Sequence, residues 1–195
     1  MELNTDLFKI EHNNIAPEKG GILISEPFTE DSVFKRSVVL LTDHNETGSI
    51  GFIINKPIKK KIYDISSEFG NFDAVVCIGG PVSRDRIYIL HTLGKLIPNS
   101  VKIKDNLYWG GDTQVLSEKI AAGIVKTNQV RFFVGYAGWE PNQLEDEINK
   151  NYWLVSTIDV KTVMKPFTKI WNNVVSNLDD KYKIWGNFPE NPLHN

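Results

Sequence analysis

Unbroken apolar runs alternate with short polar segments along this chain, and the most informative pair of runs lies in its first third. Val38-Val39-Leu40-Leu41 and Phe52-Ile53-Ile54 show no polar alternation. A strand with one wet face alternates in step with the pleat, so these runs predict burial on both faces and a covering layer on each side of the sheet. Asp43-His44-Asn45-Glu46-Thr47 connects them, and the whole of residues 37–57 reads as a hairpin at the centre of a sheet. Gly51, inside the second run, marks a bulge or a close backbone approach. Asn55-Lys56-Pro57 closes the segment.

The remaining pattern fills in around that hairpin. Leu3, Leu7 and Ile10 have the spacing of a short helix in an N-terminal extension covering residues 1–19, ended by Asn13-Asn14 and Pro17. Residues 20–25 form a first strand. After Pro57 come Lys59-Lys60-Lys61 and then Ile62, Ile65 and Phe69, a helical spacing with Gly70 as its stop. Residues 74–78 predict a strand, and residues 86–91 an antiparallel neighbour for it. Two short strands, 101–104 and 107–109, pair through a turn at Asp105-Asn106.

Asp112 is an N-cap for a helix whose apolar stripe is Val115, Leu116, Ile120 and Ile124, with Gly123 at its end. Residues 130–136, rich in aromatic and β-branched side chains, predict a central strand. Pro141 opens a helix with Leu144 and Ile148 on its buried face and acids early, where the helix dipole favours them. A strand at 152–155 follows. Asp159 caps a helical stretch that Pro166 divides in two, and the tail at 187–195 is expected to lie extended on the surface. Strands gather before most of the helices, which is the α+β pattern.

Composition narrows the class without naming a function. The chain has 195 residues, 41% hydrophobic and 24% charged, enough for one domain with one substantial core. A formal net charge of -2 supplies no general attraction to nucleic acid or to an anionic membrane. The single cysteine, Cys77, excludes an internal disulfide and a thiolate zinc cluster. No signal-like segment and no membrane-length apolar run is present, so a cytoplasmic protein, monomeric or self-associating, is expected.

Candidate chemistry is thin. Arg36, His44, Asn55 and Lys56 collect at the ends of the hairpin, and a binding cleft there would also use Gly79 and Gly80, whose backbone N–H groups with Arg84 or Arg86 suit an anion. Pro81 removes one donor, and the plainer reading of Gly79-Gly80-Pro81 is a tight turn that demands positive φ. Cys77 with His44 or His91 is the minimum for a thiol hydrolase, yet between Val76 and Ile78 it reads as a small buried hydrophobe. Asp43, His44 and Glu46 lack a second ligand cluster, so neither a metal nor a cofactor is implied. Lys56 with residues 59–61 is the best basic footprint, but there is no basic recognition helix, and direct nucleic-acid binding is not favoured. Trp139 is read as a packing residue with its indole N–H bonded locally.

In this order the motifs resemble the UPF0301, or YqgE/AlgH, family, whose members carry the name of transcriptional regulators. Residues 34–39 with His44, Gly48 and residues 51–57 look like its first block. Gly79-Gly80-Pro81-Val82 looks like its second, and residues 135–139 with Gln143-Leu144-Glu145 and Glu147-Ile148 like its third. The resemblance implies an α+β domain with a mixed, largely antiparallel, bifurcated or barrel-like sheet flanked by helices, and it carries over no catalytic residue. Asn142 departs from it, standing where relatives often have glycine; asparagine is the mildest substitute if that position is left-handed. The function expected is a non-enzymatic binding or regulatory protein acting through a small-molecule ligand or a protein partner, the alternative being an enzyme built on His44, Asn55 and the Gly79-Gly80-Pro81 turn.

Overall fold

The computed structural model describes residues 9–11, 13–29 and 31–187. Leu3 and Leu7 of the expected N-terminal helix, and residues 188–195 of the expected tail, lie outside them. Ile10 is buried in the main core, and residues 9–11 are not helical.

Among the described residues, ten strands make one curled sheet. In chain order they are β1 (Ile22–Ile24), β2 (Val38–Asn45), β3 (Gly48–Ile53), β4 (Pro57–Lys61), β5 (Val75–Ile78), β6 (Val82–His91), β7 (Ser100–Lys104), β8 (Leu107–Gly110), β9 (Val130–Trp139) and β10 (Leu154–Ser156). The main path runs β10-β1-β2-β3-β9-β6-β8-β7, all antiparallel, with β5 parallel to β9 and β4 outside β5. Five short helices among the described residues flank it: α1 (Thr113–Ala121), α2 (Gln143–Asn149), α3 (Val160–Val163), α4 (Ile170–Val175) and α5 (Asp180–Lys183).

The central hairpin is as the apolar runs require. Val38, Leu40, Phe52 and Ile54 enter the core inside the curl, where β1, β6 and β8 contribute and α3, α4 and α5 close the concave side. Val39, Leu41 and Ile53 point the other way, into a second core covered by α2. Continuous hydrophobicity here therefore reports two opposed cores. A third core, under α1 and the turns at 62–69, covers the outer face of β5, β6 and β9. The turn is tighter than the polar spacer suggests: β2 runs on to Asn45, and only Glu46 and Thr47 separate the strands.

Long β9 organises the curl. Its first half pairs with β5 (Val76 opposite Phe132) and its last residues pair with β3 (Gly51 opposite Ala137), while β6 runs along its other edge. The sheet thus bifurcates beside β9, and the chain crosses the fork at Gly79-Gly80. This corrects the expected pairing of β5 with β6, since β9 lies between them. Chain proximity suggested a hairpin, but 78 to 82 is a crossing between branches of the sheet.

Three local expectations also change. Residues 62–69 form two single 3-10 turns instead of a helix, because Ser66 caps a new turn through the Glu68 N–H (3.2 Å). The preceding lysine run is strand β4. Gly79 and Gly80 are not in the left-handed region; they are required for space, as a Cβ on Gly80 would lie 2.1 Å from the Tyr136 carbonyl carbon, and one on Gly79 2.2 Å from the Gly135 carbonyl oxygen. Asn142, by contrast, has φ 63 at the N-cap of α2, the conformation its relatives' glycine would suit. Asp112 and Asp159 cap α1 and α3 through Val115 N–H (3.0 Å) and Thr162 N–H (2.8 Å).

Candidate functional site

The two ends of the hairpin do not meet. His44 Nδ1 is 2.8 Å from Ser49 Oγ across the hairpin, and its Nε2 is 3.6 Å from the Glu145 carboxylate on α2. Asn55 sits at the other end, where Oδ1 accepts the Val38 N–H and Nδ2 donates to the Arg36 carbonyl, both at 2.8 Å. Six strand positions separate Val38 from His44, about 20 Å by strand rise. Gly79 is engaged in the fork: its N–H donates to the Val134 carbonyl (2.9 Å) and its carbonyl accepts the Ile53 N–H (2.8 Å). Arg84 Nε donates to the Gly80 carbonyl (3.2 Å), so Gly79 and the Gly80 carbonyl are committed to ladder and brace contacts.

Arg36, Asn55 and Lys56 do come together, and what they hold is a turn. Lys56 Nζ donates to the carbonyls of Val33 (2.6 Å) and Ser32 (3.2 Å). Asp31 Oδ1 accepts the N–H groups of Val33 (2.8 Å) and Phe34 (3.2 Å). Arg36, at φ 51, lays its guanidinium over the Trp171 ring at 5.1 Å. The Asn-Lys-Pro exit of β3 thus fixes the 31–36 turn, and that turn is one wall of a cleft.

The cleft, about 450 Å³, opens between the 31–36 turn, α2 and residues 152–153, which lead into β10. Its apolar surfaces are Phe34, Pro81, Trp139, Tyr152 and Trp153. Glu147 organises them: Oε2 accepts both indole N–H groups, from Trp139 at 2.9 Å and Trp153 at 2.7 Å, while Oε1 accepts Gln143 Nε2 at 2.9 Å. The two indoles meet edge to face at 6.0 Å, and Phe34 meets Trp153 likewise at 5.2 Å, the arrangement favoured by ring quadrupoles. Among the described residues, Asp31 and Glu147 are the charged side chains on its walls, and no lysine or arginine lines it. The space is aromatic, partly pre-organised and negatively biased.

Two further groups are chemically notable. Cys77 is fully buried, and burial pushes its thiol well above the usual range, only partly offset by Arg131, so it is a poor nucleophile. No group of three or more metal-capable side chains exists among the described residues. No helix among them is long and apolar enough to cross a membrane.

An AlgH-like family model matches residues 22–183, which hold all of the second and third cores and most of the first. The chain belongs to the AlgH-like UPF0301 family. A UPF0301 protein of Bacteroides fragilis is 43% identical over 197 residues, covering all of both chains, and one from Bacteroides thetaiotaomicron is 42% identical with the same coverage. Among solved structures, the solution structure of the AlgH protein from Pseudomonas aeruginosa superposes with a TM-score of 0.67 at 28% identity, over 84% of this chain and 90% of that one. A crystal structure of a Corynebacterium diphtheriae protein superposes at 0.73 with 21% identity, over 92% and 95% of the two chains, which shows the shared α+β fold. These relatives carry family names and no stated activity.

Phe34, Glu147 and Trp153 were not legible as a site in the sequence. Trp139 is a packing residue with a locally bonded indole, as its place between a strand and a helix start indicates: it is buried and donates to Glu147. The overlooked signal was two tryptophans flanking a helix that carries a half-buried glutamate.

Proposed function

We propose that this AlgH-like protein is a non-catalytic binding protein whose output is occupancy of the aromatic cleft, and that its ligand is a small organic cation with an apolar body. The observation that carries this reading is Glu147 holding two crossed indoles in place beside Asp31, in a cleft lined by no basic side chain among the described residues. Aromatic faces attract cations through their quadrupoles, and a nearby carboxylate adds to that attraction in a partly desolvated space. Lys56 and Asn55 act here as positioning residues, because they hold the turn that carries Phe34 and Asp31. A regulatory role would follow from occupancy, with no turnover. The enzymatic alternative loses support because His44 and Asn55 sit at opposite ends of the hairpin and the Cys77 thiol is buried.

Phenethylammonium and tetramethylammonium, titrated against the tryptophan fluorescence and by calorimetry, should bind saturably, whereas neutral 2-phenylethanol should bind more weakly. Trp153→Phe and Asp31→Asn should each weaken the cation by roughly three- to tenfold. Equal affinity for the neutral and cationic probes, or cation binding indifferent to both substitutions, would reject the reading.

A further inference from the structure

On the opposite side of the sheet from the aromatic cleft, β9 places a charge among apolar neighbours. In the run Val130-Arg131-Phe132-Phe133, alternate residues face opposite sides, and Arg131 shares the concave face with Phe133. It is 4% exposed. Its guanidinium lies over the Phe167 ring at 4.0 Å and donates to the carbonyls of Ile54 (3.3 Å) and Lys165. That occupies two of its five N–H donors. No carboxylate pairs with it among the described residues. Burial pulls Arg131 down to about 10, so it remains a cation at neutral pH.

A buried cation without a counter-charge is costly, and charged groups inside proteins are normally paired. This one lines a cavity of about 240 Å³ between residues 127–131 and the 164–167 segment. Thr127, Asn128 and Lys165 also line it, Lys165 through the backbone carbonyl that Arg131 bonds, while its ammonium lies within electrostatic range of the Asp159 carboxylate. The rim carboxylate, Asp73, is 2.7 Å from Lys61 Nζ and already engaged. The local balance is therefore positive, and Pro166-Phe167 forms an apolar lip over it.

We propose that this cavity is a binding site for a small oxyanion, of carboxylate or phosphate class, with Arg131 as its charge partner and Lys165 as a longer-range cation. A planar guanidinium with free donors suits two oxygens of one group, and the cavity volume admits inorganic phosphate or the head of a small acid. The site is independent of the aromatic cleft, which uses other residues on another face.

The test uses calorimetry and thermal shift on the full chain at constant ionic strength, with inorganic phosphate, acetate and phenyl phosphate as probes and chloride as the reference anion. At least one oxyanion should bind one-to-one and raise the melting temperature where chloride does not. Preference for phenyl phosphate over inorganic phosphate would point to an organic phosphate as source, the reverse to the free ion. Arg131→Met should weaken that oxyanion by roughly tenfold or more, while its melting temperature without oxyanion stays at or above that of the wild type because a lone buried charge is gone. Should Arg131→Met fail to fold, Lys165→Gln keeps the core intact and should weaken the oxyanion by roughly twofold to fivefold. Wild-type protein that treats all oxyanions like chloride, or an oxyanion effect that survives whichever substitution folds, would overturn the proposal.

Discussion

At the scale of single residues, identical amino acids do different work according to their surroundings. Gly70 has φ 56 and open space around it, so its role is conformational alone. Gly80 has ordinary φ but sits where a Cβ would strike the Tyr136–Ala137 peptide at 2.1–2.3 Å. Gly70 also has ψ -141, outside the left-handed helical basin, so Gly70→Ala should destabilise by about 2 kcal/mol, whereas Gly80→Ala should destabilise by about 3 kcal/mol or more. Denaturant unfolding of the two variants checks the order, and a reversal would mean that the fork relaxes freely.

His91 supplies a second residue-scale prediction. Its ring is fully buried, Nδ1 accepts the Leu93 N–H (3.2 Å) and Nε2 is left to donate to Ser100 Oγ (2.9 Å), which in turn donates to the Ile97 carbonyl (2.7 Å). Desolvation lowers its pKa below the ordinary 6.5, partly offset by a backbone contact at Gly110. The unfolded chain then binds the proton more readily than the folded one, so stability is complete above about pH 6.5 and falls as the pH drops below that value. Melting temperatures from pH 7.5 down to 5 should show this loss, and His91→Gln should flatten the slope between pH 6.5 and 5.5. An unaltered slope in the variant would assign the acid sensitivity to carboxylates.

At the scale of elements, helix ends were easier to read than strand neighbours. Asp112 and Asp159 announce their helices because capping is a contact between a side chain and a backbone three residues on. The lysine run was harder to place. It forms β4, an edge strand with a partner on one side only, and exposed lysines keep such an edge from pairing with another chain. Substituting Lys59 and Lys60 with valine should raise self-association in light scattering at unchanged or higher melting temperature. Scattering equal to wild type would show that the edge is protected by other means.

At the scale of the whole molecule, β9 determines which parts can communicate. It touches β3, β5 and β6, so one strand borders all three cores. The aromatic cleft lies on the outer face near its C-terminal end, and the Arg131 cavity on the concave side near its start. Neither forms a recognisable motif in the sequence, although both leave a local trace. Arg131 is a charge inside an otherwise apolar run, and Trp139 and Trp153 bracket a helix bearing Glu147.

Apolar runs, caps and turn residues by themselves determined the central hairpin with its two buried faces, the helix starts at Asp112 and Asp159, the α+β class and the family. These features depend on contacts a few residues apart or on a period that a short window contains. Tertiary structure alone decided that β9 separates β5 from β6, that Gly79 and Gly80 serve close packing, that Asn55 and Lys56 brace a turn, and that Phe34, Glu147 and two indoles share a cleft. Those outcomes depend on which branch of a forked sheet each segment joins, and that choice is made by packing between residues as distant as Phe34 and Trp153, which no local pattern encodes.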